Sequence, residues 1–162
     1  MEDIIAIQKF KEGYNCAQSI FFHYAKQVGV AEEMAIKIAT GFGAGMGRKQ
    51  EVCGAISGGI LTINSLYGRE MHEEKIKQEI AYGKVRRMID LFAQDKGTIY
   101  CKQLLDECDL QTEEGQKRFK DEQLIQRCYQ CIGKVVEILD DVILENEHKN
   151  DKPSIKIREI VR

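Results

Sequence analysis

Proline is almost missing: the only one in 162 residues is Pro153. Proline removes a backbone donor and clashes with the preceding helical turn. Its absence from residues 1–152 therefore favours long helices. It disfavours a sandwich or barrel of many short strands, which needs Gly/Pro punctuation along its length. Long apolar runs are missing too. The longest uncharged stretch, residues 52–68, carries Ser57, Thr62, Asn64, Ser65 and several glycines. It falls short of the ~20 apolar residues a membrane span needs. The first residues, MEDIIAIQKFKEGYN, place acids first, with no apolar run and no small-residue cleavage site behind them. No secretory signal is expected. Nor does charge of one sign dominate: 24 Lys and Arg against 26 Asp and Glu leave a net −2. That balance provides no electrostatic footprint for nucleic acid or an anionic membrane. The expectation is a soluble, cytoplasmic chain with no nucleic-acid partner and no membrane insertion.

With 43% apolar and 31% charged residues, the chain can collapse and stay in solution. Its length suits one domain that buries roughly two-thirds of its unfolded surface. Apolar residues at spacings of three and four predict helices over about residues 2–12 (Ile4, Ile5, Ile7, Phe10) and 16–27 (Ala17, Ile20, Phe21, Tyr24, Val28). A third is predicted over 32–40 with Met34, Ile38 and Ala39 inward. Four more are predicted over 53–66, 72–95, 100–108 and 113–146. Asn15 is the expected N-cap of the second helix, and Gly13, Gly29, Gly68 and Gly97 are expected stops. The predicted class is all-α: a compact bundle of six or seven helices over 1–148, with a glycine-rich loop at 41–47. A C-terminal arm at 149–162, alternating through Ile155, Ile157, Ile160 and Val161, is expected to dock or to exchange within a homodimer.

Six cysteines, at 16, 53, 101, 108, 128 and 131, are the concentrated reactive residues. In a reducing compartment, metal ligands or redox thiols are favoured over structural disulfides; small buried hydrophobes are the plain alternative. Cys128-Tyr-Gln-Cys131 is a C-x-x-C spacing, but it lies inside a periodic helix with no strand before it, unlike a thioredoxin-type site. No second pair has matching zinc-ribbon spacing. Ile132 stands where c-type haem attachment needs histidine. His23, His72 and His148 fall in no metal-binding pattern. The loop Gly41-Phe-Gly-Ala-Gly-Met-Gly47 followed by Arg48, Lys49 and Gln50 matches neither phosphate-binding glycine motif. Position is more informative. Cys16, Cys53 and Cys101 each open a predicted helix, where unpaired N–H groups and the macrodipole favour a thiolate.

The runs Gly13-Tyr14-Asn15-Cys16-Ala17, Gly41 to Gly47, and Cys53-Gly54-Ala55-Ile56-Ser57-Gly58, taken in that order, resemble the C-GCAxxG-C-C family of redox-active proteins. The likeness covers about residues 12–140. It implies a helical fold and a cluster of four cysteines: Cys16, Cys53, Cys101 and Cys131, with Cys128 as the alternate for the fourth place and Cys108 without a counterpart. Val52 stands where the family pattern has glycine before the second cysteine. The implied function is redox chemistry with an unidentified redox partner, as an oxidoreductase or an electron-transfer protein. The cysteines would act as dithiol/disulfide or as ligands of an iron–sulfur or other metal centre. In the dithiol form Cys53 is the expected nucleophile, with Cys16 or Cys101 resolving. Gly54 and Gly58 are the expected close-approach positions for a cofactor, a substrate or another helix. The alternatives are a non-catalytic zinc or soft-metal protein using the same four cysteines, and a helical interaction module whose cysteines are only core.

Overall fold

The computed structural model describes residues 4–144. Among them are eight helices and no strand. They are α1 (Ile5–Lys11), α2 (Cys16–Tyr24), α3 (Glu32–Ala39), α4 (Gly54–Tyr67), α5 (Lys75–Lys96), α6 (Cys101–Leu104), α7 (Glu113–Asp121) and α8 (Ile125–Leu144). No helix of the described residues is long and apolar enough to cross a membrane. The all-α class expected from the missing prolines is what the chain adopts. The proposed arm at 149–162 lies outside the described residues.

Helix α4 is the axis of the molecule. Its first six residues are all buried, so it has no solvent face there, as expected for a helix packed on every side. Helix α2 crosses it so closely that a methyl group on Gly58 would lie 2.7 Å from the Ala17 carbonyl oxygen and 2.9 Å from Ile20 Cβ. Only a residue without Cβ lets the two backbones meet. On the other side α5 and α8 close the main core with Met88, Phe92, Ile132, Val135 and Leu139, all fully buried.

Three expectations need correction. Met34 and Ile38 point outward, 48% and 47% exposed. The buried face of α3 is Ala35 and Ala39, packed with Ala17, Phe21 and Ala25, because small residues allow α3 to approach α2. The helix expected over 113–146 is broken between α7 and α8, where Gln123 adopts a left-handed φ of 52°. The Leu124 N–H reaches back to Phe119 O, and the Leu124 side chain enters the core. The helix expected over 100–108 stops at Leu104, ahead of the left-handed pair Asp106 and Glu107.

The glycine loop is less of a loop than its composition suggests. A 3₁₀ turn, Thr40–Phe42, leads into five successive left-handed residues, from Ala44 (φ 49°) to Arg48 (φ 67°). The Gly47 N–H donates to Gly43 O at 3.0 Å, closing a left-handed turn. Ala44, Met46 and Arg48 each carry a strain of about 1–2 kcal/mol for a side chain in this region. The interspersed glycines keep the sum tolerable. Gly45 is also crowded: a Cβ there would lie 2.7 Å from Gln50 Cα.

Candidate functional site

Each element delivers its cysteine by a local device. Asn15 caps α2 in a full capping box: its side chain accepts from the Gln18 N–H, and the Gln18 side chain accepts from the Asn15 N–H, both at 3.0 Å. This sets Cys16 as the first helical residue, where its N–H is free to face its own sulfur. Cys53 is the N-cap residue of α4. A single antiparallel bridge, Val52 to Tyr100, joins the segments before α4 and α6. The Cys53 N–H donates to Ile99 O at 2.8 Å and the Cys101 N–H to Glu51 O at 2.7 Å. These two bonds hold Cys53 and Cys101 side by side although 48 positions separate them in the chain. Cys128 and Cys131, three residues apart on α8, share one helix face.

The five sulfurs converge. Cys16, Cys53, Cys101, Cys128 and Cys131 line one cavity of about 20 Å³ together with Leu104, Leu105 and Arg127. That is room for about one water molecule. All five are free thiols, four buried and Cys128 half-buried. The expected set of four is therefore brought together, and the alternate, Cys128, belongs to it as a fifth member. Cys108 does not. It packs beneath the cluster, and its thiol donates to Gly115 O at 3.1 Å, which is the behaviour of a structural cysteine. Gly54 adjoins the cluster: a Cβ there would lie 3.4 Å from Cys16 Cβ and 3.0 Å from Phe42 O. Gly58 meets α2.

Four of the thiols act on one another in two pairs. In the first, the Cys128 thiol faces Cys16 and, with the backbone N–H groups of Ala44 and of Cys16 itself, holds Cys16 below the ordinary thiol range against the effect of burial. The same contact, reinforced by burial, pushes Cys128 far up. In the second, the Cys53 thiol faces Cys131. Cys53 is pushed well above the ordinary value by that bond and by burial. Cys131 is held below it by the same bond, with help from the Lys96 ammonium. In each pair one cysteine is therefore held as the more acidic member and the other as the less acidic one. Cys101 stays a thiol: burial and the neighbouring sulfurs push it up to about 12, opposed only by a hydrogen bond with Gln50.

Two contributors escape the sequence reading. Gln50 appears there only as a residue that breaks a phosphate-binding pattern. In the fold it is buried in a left-handed conformation. Its Nε2 donates to Cys108 O at 2.7 Å and its Oε1 accepts from the Leu110 N–H at 2.8 Å. Ala44 escapes because its part is played by a backbone N–H, which carries no side-chain signature.

Thiols are soft donors, suited to zinc, Cu(I) or an iron–sulfur cluster. Yet among the described residues no three of His, Cys, Asp and Glu are grouped so as to hold a metal ion. The profile of the family described as "Putative redox-active protein (C_GCAxxG_C_C)" matches residues 14–142. No curated protein and no solved structure matches the chain. Since the match takes in most of the chain and all five cavity cysteines, the chain belongs to the C_GCAxxG_C_C family.

Proposed function

We propose that this chain is a thiol-based redox protein, an oxidoreductase or electron-transfer protein whose cysteine cluster cycles between dithiol and disulfide. The observation that carries the reading is the convergence of five cysteines, from four helices or their caps, on one small cavity, four of them in two pairs whose members are shifted in opposite directions. A thiolate is the nucleophile of disulfide exchange, and a neighbouring thiol is its resolving partner. Oxidation of one pair, starting from a thiolate and a thiol, passes two electrons and one proton to a disulfide-bearing acceptor, which takes a second proton from solvent and becomes two thiols. A buried cavity of this size excludes bulk solvent, which protects the thiolates from random oxidation.

The test is anaerobic purification followed by metal analysis, a visible spectrum and thiol titration before and after oxidation by a disulfide reagent. The expected protein is colourless and free of stoichiometric metal, and it loses thiols in even numbers that a reductant restores. Stoichiometric zinc or iron that protects the cluster thiols would establish the metal-binding reading instead. An unchanged thiol titre would reduce the cysteines to core residues.

A further inference from the structure

Beside the cavity lies a surface pocket of about 190 Å³. Five of its lining residues are polar, Lys96, Thr98, Gln103, Arg127 and Gln130, and Leu104 adds an apolar side. Cys131, itself buried, completes the lining. Among the described residues it is the cluster cysteine that lines both this pocket and the cavity. The pocket's lining holds two cations and no carboxylate. Lys96 is partly neutralised by the Asp95 carboxylate at 3.0 Å. Arg127 has no carboxylate partner among the described residues, and its guanidinium is oriented by a hydrogen bond to Leu104 O at 3.2 Å.

We propose that this pocket is the substrate entrance of the cluster. It takes a small disulfide bearing a carboxylate, delivers its sulfur to Cys131 as the attacking thiol, and leaves Cys53 as the resolving thiol. This inference rests on the thiol–disulfide reading above. The volume is below the ~300–1,000 Å³ of clefts that enclose drug-sized ligands, so one end of a small molecule fits and a protein loop does not. The cationic wall selects an anionic group. The hydrogen bond from Cys53 and the nearby Lys96 favour the thiolate on Cys131, which reverses the roles the sequence suggests for Cys53.

The chemistry balances. The Cys131 thiolate attacks one sulfur of R–S–S–R; that S–S bond breaks, and RS⁻ leaves and is protonated. Cys53, losing its proton, attacks the Cys131 sulfur of the mixed disulfide, and the second RS⁻ leaves and takes a proton. The pair has lost two electrons and one proton, the second proton comes from solvent, and the substrate has become two RSH.

The experiment compares two chromogenic disulfides on the reduced full-length protein: the doubly anionic dithiobis-nitrobenzoate and the neutral dithiodipyridine. Arg127→Glu is expected to slow the anionic reagent about tenfold, the effect of reversing one unit charge about 6 Å from a carboxylate in water-like dielectric. The neutral reagent should change less than about twofold, and Arg127→Lys should retain the rate with the anionic one. Equal slowing of both reagents, or of neither, would overturn the pocket assignment. Mapping by mass after a substoichiometric dose to Cys53→Ser needs no change at Arg127. It should find the mixed disulfide on Cys131; a label arriving first on Cys128 or Cys16 would overturn the entrance. If neither reagent modifies any cluster thiol of the folded wild type, it is the thiol–disulfide reading itself that fails.

Discussion

Gln50 shows how much one buried amide can organise. Its two side-chain hydrogen bonds hold the backbone at Cys108 and Leu110, and the same group contacts Cys101. Gln50→Leu keeps much of the volume but strands a buried carbonyl and an N–H. Each such group costs about 1–3 kcal/mol when unsatisfied, so a loss of about 2–4 kcal/mol is expected in urea unfolding. The Cys101 thiol also loses the bond that opposes its upward shift. It should alkylate more slowly at alkaline pH in this variant than in the wild type. A stability change within about 0.5 kcal/mol, the range of plain surface substitutions, would show that the clamp is not used. None of this was legible beforehand. A glutamine's partners are set by what folds around it, and these lie 58 and 60 positions away.

At the scale of elements, the left-handed turn between α3 and α4 is the unusual part. Its strain serves geometry: it turns the chain so that the Ala44 N–H faces Cys16 and brings Gln50 under α6. Two of its glycines should respond differently to alanine. Gly47 has φ 61° and open space around it, so Gly47→Ala should cost about 1 kcal/mol. Gly45 has φ 65° and Gln50 Cα 2.7 Å from the place of a Cβ. Gly45→Ala should cost more than Gly47→Ala, because backbone must move. It should also raise the pH at which Cys16 reacts, as the Ala44 N–H is displaced. Equal unfolding midpoints for the two variants would refute this account of the turn. The density of glycine marked the segment as special, but its handedness was not readable. Ala44, Met46 and Arg48 have no local reason to be left-handed.

Across the whole molecule, the cluster ties stability to pH. Cys101 is raised from 9.0 to about 12, and Cys53 and Cys128 are raised as well. A raised thiol is neutral in the fold but ionised in the unfolded chain between the two values, so the folded state binds more protons there. Its contribution is complete below about pH 9 and is lost as pH climbs toward 12. Cys16 and Cys131, held low, act in the opposite sense: theirs is present above the ordinary value and lost as pH falls through the folded one. The reduced protein should therefore weaken from about pH 9 upward, by at most about 1.4 kcal/mol per pH unit for each raised group. Cys101→Ser should flatten that slope. Urea midpoints measured under reductant at several alkaline pH values decide it; an identical slope in the variant would remove Cys101 from the account.

What the residues alone determined is local and periodic. The missing prolines and the three-to-four spacing of apolar side chains were enough for an all-α fold, because a helix's burial pattern is written along its own length. Asn15 announced its cap, and the helix-opening positions of Cys16, Cys53 and Cys101 were readable for the same reason. The tertiary structure decided everything that depends on contacts between distant segments. It made α3 bury Ala35 and Ala39 in place of Met34 and Ile38, because α2 leaves room only for small side chains. It brought Cys128 and Cys131 together into the cluster and left Cys108 outside it, because helix phase and the Val52–Tyr100 bridge aim the sulfurs. It also set which member of each pair is the more acidic, because that depends on burial and on N–H groups and charges supplied from elsewhere in the chain.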